Sequence, residues 1–324
     1  MAPPCYADLG KQARDLFTKN YHFGLVKLEC KTKSRTGIEF TAGGTSLNDT
    51  GKVNGSLECK YKLNEQGITL REKWTTDNNL NTELIAEDYL SKGLKLSTNL
   101  NFAPQTGNTS CVVTAQRRFE TTVASATARG GPQKVQADIK CKLSATRSGK
   151  KNAVVCTAYK GDCFHATTDL DYNSGAPLVN GSLVLSHQGW LAGSQVSFDT
   201  SKSKLTKTNF ALGYSSSDVV LHSSVNDGQM FAASVYQKVR PDVQAGFGVN
   251  WNSTNNAAQF SVGGVFVLDK DTSLRAKVNN QGSLGLGLTH RLRDGIEMTM
   301  CANIDTKNFN QGGHKIGFGL NLEG

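Results

Sequence analysis

From Gly24 to the C-terminus, apolar and polar residues alternate in segments of about ten, separated by turns rich in Gly, Asn, Asp or Ser. KVNGSLECKYKL places Val53, Leu57, Cys59, Tyr61 and Leu63 on one side, and Asn54, Ser56, Glu58, Lys60 and Lys62 on the other. QKVQADIKCKLSA sets Val135, Ala137, Ile139, Cys141 and Leu143 against Gln136, Asp138, Lys140 and Lys142. HKIGFGLNL repeats the scheme with Ile316, Phe318, Leu320 and Leu322. Period-two alternation is the signature of a strand with one wet and one apolar face. About 22 such segments occur, one or two of them weak, and no helical pattern lies between them. Ten residues at about 3.3 Å each, tilted by about 40°, rise roughly 25 Å, the height of the apolar band on a membrane barrel.

The polar faces carry Lys, Glu and Asn at a density that no packed core tolerates, so they meet water. A soluble sandwich seldom needs so many strands of equal length. The pattern therefore predicts a transmembrane antiparallel β-barrel over residues 24–324, apolar side outward and polar side lining a water-filled channel.

Residues 1–23 break the rule. Tyr6, Leu9, Ala13, Leu16 and Phe17 form a helical stripe, with Lys11, Arg14, Asp15 and Lys19 mainly off it. An amphipathic helix is predicted, with two placements open: flat on a lipid surface, or packed against the inner wall with its basic residues in the lumen.

Composition narrows the partners. No apolar run reaches the ~18–20 residues of a membrane helix, and the mean hydropathy is −0.37. The N-terminus lacks the apolar stretch of a secretory signal. Lys plus Arg number 36 against 27 Asp plus Glu, a surplus of +9 that favours anionic partners. These cations are scattered without a polybasic block or a known motif, which argues against nucleic acid. The 8 cysteines form no C-x-x-C pair, and Cys163 and His165 share a strand face without further ligands, so no metal is expected. No phosphate loop, H-E-x-x-H or G-x-S-x-G occurs, so neither catalysis nor a cofactor is expected.

One stretch complicates the alternation. In ITLREKW, Ile68, Leu70 and Trp74 share the apolar face, and Glu72 falls among them. Either a carboxylate points outward, or a β-bulge turns it inward.

PPCYADLGKQARDLFTKNYHFGLVKLE, EKWTTDNNLNTE, FAPQTG, GWLAGSQVSFDTSKSKLTKTNFALGY, VNDG, AKVNN and DTKNFNQGGHKIGFGL, in this order, resemble the mitochondrial porins, the voltage-dependent anion channels of the outer membrane. The resemblance covers nearly the whole chain. It implies a barrel with the N-terminal helix inside, Leu9 packing that helix on the wall, and a voltage-gated, weakly anion-selective pore for ATP, ADP and phosphate. It further implies anion or nucleotide contacts at Lys11, Arg14, Lys19 and the Gly93-Leu94-Lys95 segment. Glu72 matches an outward glutamate linked to gating, self-association and hexokinase docking; hydrocarbon disfavours such a carboxylate, when charged, by up to a few kcal/mol. Membrane lipids and sterol, hexokinase, apoptosis regulators and a homo-oligomer are the other implied partners, with conduction secondary to docking as the alternative function. Lys315-x-Gly317-x-x-Leu320-x-Leu322 resembles the sorting signal of mitochondrial outer-membrane barrels.

The chain departs from the family between FAPQTG and KKNAVVCTAYK, where about 42 extra residues, Asn108 to Gly149, contain two strand-like stretches. The family's barrel has 19 strands. Two more keep the up-and-down parity, so 21 strands are predicted; the rival is a 19-stranded barrel with a long hairpin projecting from one rim.

Overall fold

The computed structural model describes residues 2–63, 65–123, 133–147, 149–173, 176–310 and 312–324. Twenty-one strands, from β1 (Leu25–Lys33) to β21 (Lys315–Glu323), form a single sheet. Each pairs antiparallel with its chain neighbour, and β1 closes the barrel on β21 in parallel, with Val26 opposite Phe318 and Cys30 opposite Leu322. The parallel seam follows from the odd number: with 21 alternating strands the first and last run the same way. Closure leaves no unpaired edge, which a lipid environment requires. No helix among the described residues is long and apolar enough to cross a membrane, and the strands do the crossing.

The predicted strand number holds. Residues 108–149 supply β7 (Asn108–Val123) and β8 (Gln133–Thr146), which pair with each other. β7 also pairs with β6 (Leu94–Ala103), and β8 with β9 (Lys151–Lys160), so both are wall strands. They are the longest of the sheet, at 16 and 14 residues. Their ladder continues to Val123 and Gln133, beyond the Leu94–Arg117 and Gln136–Lys160 pairs where their neighbours stop. Among the described residues, what projects of this hairpin is the extension of two wall strands past their neighbours.

The alternation sorts the side chains as the sequence requires. Outward positions include Trp74, Trp190, Leu212 and Ile316, all well exposed on the bare protein and suited to lipid. Among the described residues the buried apolar side chains are Pro3, Leu9, Ala13, Leu16, Val184, Ala211, Val265 and Cys301. They lie on the N-terminal segment or on the inner wall. The dry interior of this protein is thus the seam between helix and barrel.

The helix is shorter than its stripe. A 3-10 turn, Tyr6–Asp8, precedes α1 (Lys11–Thr18), and Gly10 separates them at φ 66°. A Cβ at Gly10 would also sit 2.8 Å from the His222 ring. The left-handed kink keeps Tyr6 and Leu9 on the same wall as Leu16 and Phe17 although the helix is broken.

Candidate functional site

The lumen is where the polar faces of all the strands meet, and its two sides are built differently. On one side the 3-10 turn lies on β11 (Leu178–His187) and β12 (Trp190–Asp199), and α1 lies on β15 (Met230–Arg240), β16 (Val243–Asn252) and β17 (Ala257–Val267). Leu9 is buried against inward-facing Val184 and Ala211, flanked by Tyr6 and Leu191. The wall there is lined by small residues. A Cβ on Gly193 would meet Leu9 at 2.8 Å and Tyr6 at 2.9 Å, and one on Gly263 would meet Leu16 and Phe17 at 3.1 Å. Of the two helix placements, the structure takes the inner wall.

The basic residues of the helix then face the lumen. Lys11 stands 3.5 Å from Asp8 and is largely exposed. Arg14 donates from Nη2 to the Ala7 carbonyl at 2.9 Å, tying the helix to the 3-10 turn. Lys19 is exposed just past the helix end. The Cys5 thiol donates to the Asp8 carboxylate at 2.9 Å, and this bond, with Lys11 nearby, holds the Asp8 carboxyl below the ordinary carboxylate range.

Residues 20–23 lead from helix to barrel along the inner face of the last strands. His22 donates its backbone N–H to Cys301 Sγ at 3.1 Å. Its carbonyl lies 1.7 Å from where a Cβ on Gly317 would stand, so only glycine admits the linker. Burial favours the neutral His22 ring and lowers its pKa. Lys277, from β18 (Thr272–Asn279), closes the arrangement. Its Nζ donates to the Phe17 carbonyl at 2.6 Å, capping the helix C-terminus, and lies 4.1 Å from the Tyr21 ring centroid and 5.1 Å from that of Phe23. The sequence gives no sign of this role for Lys277: a lysine on the polar face of a strand looks like any other lumen charge.

The opposite side is bare and charged. Arg71, on β4 (Ile68–Thr75), bridges Glu58 at 3.1 Å and Glu83 at 3.3 Å across three strands. Lys95 pairs with Glu87 at 2.6 Å. Of Gly93, Leu94 and Lys95, only Lys95 presents its side chain to the lumen. Gly93 sits in the preceding turn at φ 80°, and the pleat turns Leu94 to the lipid face beside Leu96 and Leu100. Of the three residues expected to contact anions there, Lys95 alone has its side chain on the lumen face.

Glu72 points outward. It is exposed, lies between Cys59 and Thr82 on the Leu70–Trp74 face, and the β4 ladders run without a register shift. The bulge alternative is excluded. In the C-terminal pattern, Lys315 faces inward and pairs with Asp49, Gly317 carries the linker, and Leu320 and Leu322 face lipid.

Comparison with known proteins adds the lineage. The sequence model of the eukaryotic porins matches residues 2–132 and 132–317, the two pieces meeting inside the segment 108–149. The chain belongs to the eukaryotic porins. A voltage-dependent anion-selective channel of Drosophila melanogaster is 46% identical to this porin, covering 100% of both chains. The non-selective voltage-gated ion channel VDAC2 of Xenopus laevis is 45% identical, covering 99% of each, and VDAC1 of Rattus norvegicus 42%, again 99% of each. Among solved structures, a mutant of the Rh. blastica porin overlays with TM-score 0.43 and 12% identity, over 66% of this chain and 89% of that one.

Proposed function

We infer that this porin is a voltage-gated, anion-preferring channel of the mitochondrial outer membrane, with ATP, ADP and phosphate among its permeants. The observation that carries the reading is the closed barrel whose lumen holds Lys11, Arg14 and Lys19 of the N-terminal segment and Lys95 and Arg71 of the wall, while its outer face is mainly apolar. Permeation in such a pore is governed by size and by the potential of the wall, not by bond making. Lumen cations raise the local anion concentration. Because several of them are paired with carboxylates and screening acts over about 8–10 Å, the preference is modest. Voltage sensitivity is assigned to the helix and linker, a charged body held to the wall by side-chain contacts.

Lys11, Arg14, Lys19 and Lys95 are the proposed anion contacts, with Gly93 shaping the turn before Lys95. Glu72 is the proposed recognition point on the lipid face for self-association or for hexokinase; lipids, sterol and apoptosis regulators are further candidate partners. Lys315, Gly317, Leu320 and Leu322 are proposed to serve sorting in the unfolded chain, in addition to their places in the folded one. Residues 1–23 form the gating segment and 24–324 the pore, with 108–149 contributing two added strands.

The test is a planar bilayer with a KCl gradient. Large unitary steps, a reversal potential favouring Cl⁻ and closure at both polarities are expected. Folded, inserted protein that passes no current would transfer the function to docking. Glu72→Gln is expected to leave conductance unchanged and to lower crosslinked dimer or kinase binding; unchanged values of both would remove the role given to Glu72.

A further inference from the structure

The hairpin β7–β8 does more than widen the sheet. On β8 the inward positions include Lys140 and Lys142, and on β7 Thr114 and Gln116. Lys95 lies opposite Gln116, and Gln116 opposite Lys140, so these three form one row across adjacent strands about 5 Å apart. Lys142 stands one step along, opposite Thr114. Their side chains line a common hollow of ≈ 510 Å³ on the inner wall.

The charge balance in this hollow is uneven. Glu83 reaches it but is engaged by Arg71 at 3.3 Å, and Glu87 is taken by Lys95. Asp138, the next inward residue of β8, is taken by Arg118 at 3.0 Å. Among the described residues no carboxylate pairs with Lys140 or Lys142. Two neighbouring ammonium groups without a directly paired carboxylate repel each other, and a bound anion relieves that repulsion. Amide and hydroxyl donors from Gln116, Thr114 and Ser97 surround them. No aromatic ring lines the hollow, so nothing there stacks on a base.

We propose that Lys95, Lys140 and Lys142, with Gln116, form a lumen subsite for the polyphosphate chain of a permeant, indifferent to any base it carries. The site rests on the pore reading and deepens it. The hairpin adds a way-station on the wall away from the helix, where a phosphate-bearing anion pauses without being specifically recognised.

The full chain in lipid nanodiscs is titrated calorimetrically with sodium tripolyphosphate and, separately, with ATP. The K140Q/K142Q variant is expected to weaken both by about tenfold, the scale of removing two solvent-exposed ion contacts. K60Q/K62Q removes the same charge from another part of the inner wall and is expected to change either by less than about twofold. Equal weakening in the two variants would replace the subsite with a diffuse field and overturn the proposal. So would unchanged affinity in K140Q/K142Q, or ATP binding in the absence of tripolyphosphate binding. Bilayer currents from wild-type protein test the pore reading apart from this: a silent pore that still loses tripolyphosphate affinity in K140Q/K142Q keeps the site and refutes the channel.

Discussion

The wall under the helix and the wall that carries β4, β6, β7 and β8 obey the same alternation, yet one is dry and the other open to the lumen. Beneath the helix the inward positions are Gly193, Val184, Ala211, Gly246, Gly263 and Val265, small or apolar, and Leu9, Leu16 and Phe17 fill the space they leave. Across the lumen the inward positions are Arg71, Glu83, Lys95, Gln116, Lys140 and Lys142, long and polar, and the space between them is open to the lumen. A glycine on the polar face of a strand is not a weak lysine. It is a vacancy that a second element can occupy, and the helix lies where vacancies line up across neighbouring strands. The two walls also divide the proposed work: the dry wall positions the segment to which gating is assigned, and the charged wall sets the potential that permeants experience.

The most damaging way to break the dry wall is Gly317→Val, because a Cβ there meets the His22 carbonyl head on. The linker must leave its track. Proteolysis of the N-terminal segment in folded barrel is expected to accelerate about tenfold or more, the effect of overpacking by about 1–3 kcal/mol. Unchanged cleavage would show that the linker runs elsewhere. Lys277→Met keeps bulk but removes the cap on Phe17 and the ammonium over Tyr21. Loosening by about 1–2 kcal/mol is expected, read as faster cleavage and a shifted gating voltage.

On the charged wall, deleting residues 108–149 removes β7 and β8 together and preserves strand parity. Circumference scales with strand number, so a 19-stranded barrel has a cross-section smaller by roughly a fifth, and open-state conductance is expected to fall by about that fraction. Conductance that stays constant would mean that the narrowest part of the pore lies at the helix, and not in the barrel's girth.

The smallest expected effect is acid loosening of the helix side, in two stages. Burial disfavours His22 protonation, so its contribution to linker docking is complete above the ordinary histidine range and fades as pH drops below about 6.5. Asp8, held low first by the Cys5 thiol and then by Lys11, contributes above the ordinary carboxylate range and loses its effect as pH falls through its lowered value. With half of its side chain exposed, Asp8 is worth no more than about half a kcal/mol after screening. Helix release followed from pH 7 to 3 is expected to show the His22 stage and to lose it in His22→Gln.

Much of this is legible in the sequence alone. Period two at strand length, with lysines on one face and Trp or Leu on the other, specifies a barrel and its sidedness, and it puts Glu72 on the face of Leu70 and Trp74, leaving the bulge for the observed register to exclude. The stripe Tyr6–Leu9–Ala13–Leu16–Phe17 is also readable, though not its interruption, because the kink at Gly10 answers to His222, more than two hundred residues away in sequence. Leu94 shows the opposite error: a contiguous motif suggests one site, when the pleat sends adjacent residues to opposite sides of the wall.

Sidedness is local chemistry, decided residue by residue as each strand separates apolar from polar groups, and the sequence by itself determined it. What lies across from what is not local. The helix's choice of wall, the linker's need for glycine at 317, the capping by Lys277 and the meeting of Lys95 with Lys140 and Lys142 all depend on the register and closure of 21 strands. Ladder hydrogen bonding is the same for every residue type, so only the assembled barrel decides which inward side chains become neighbours.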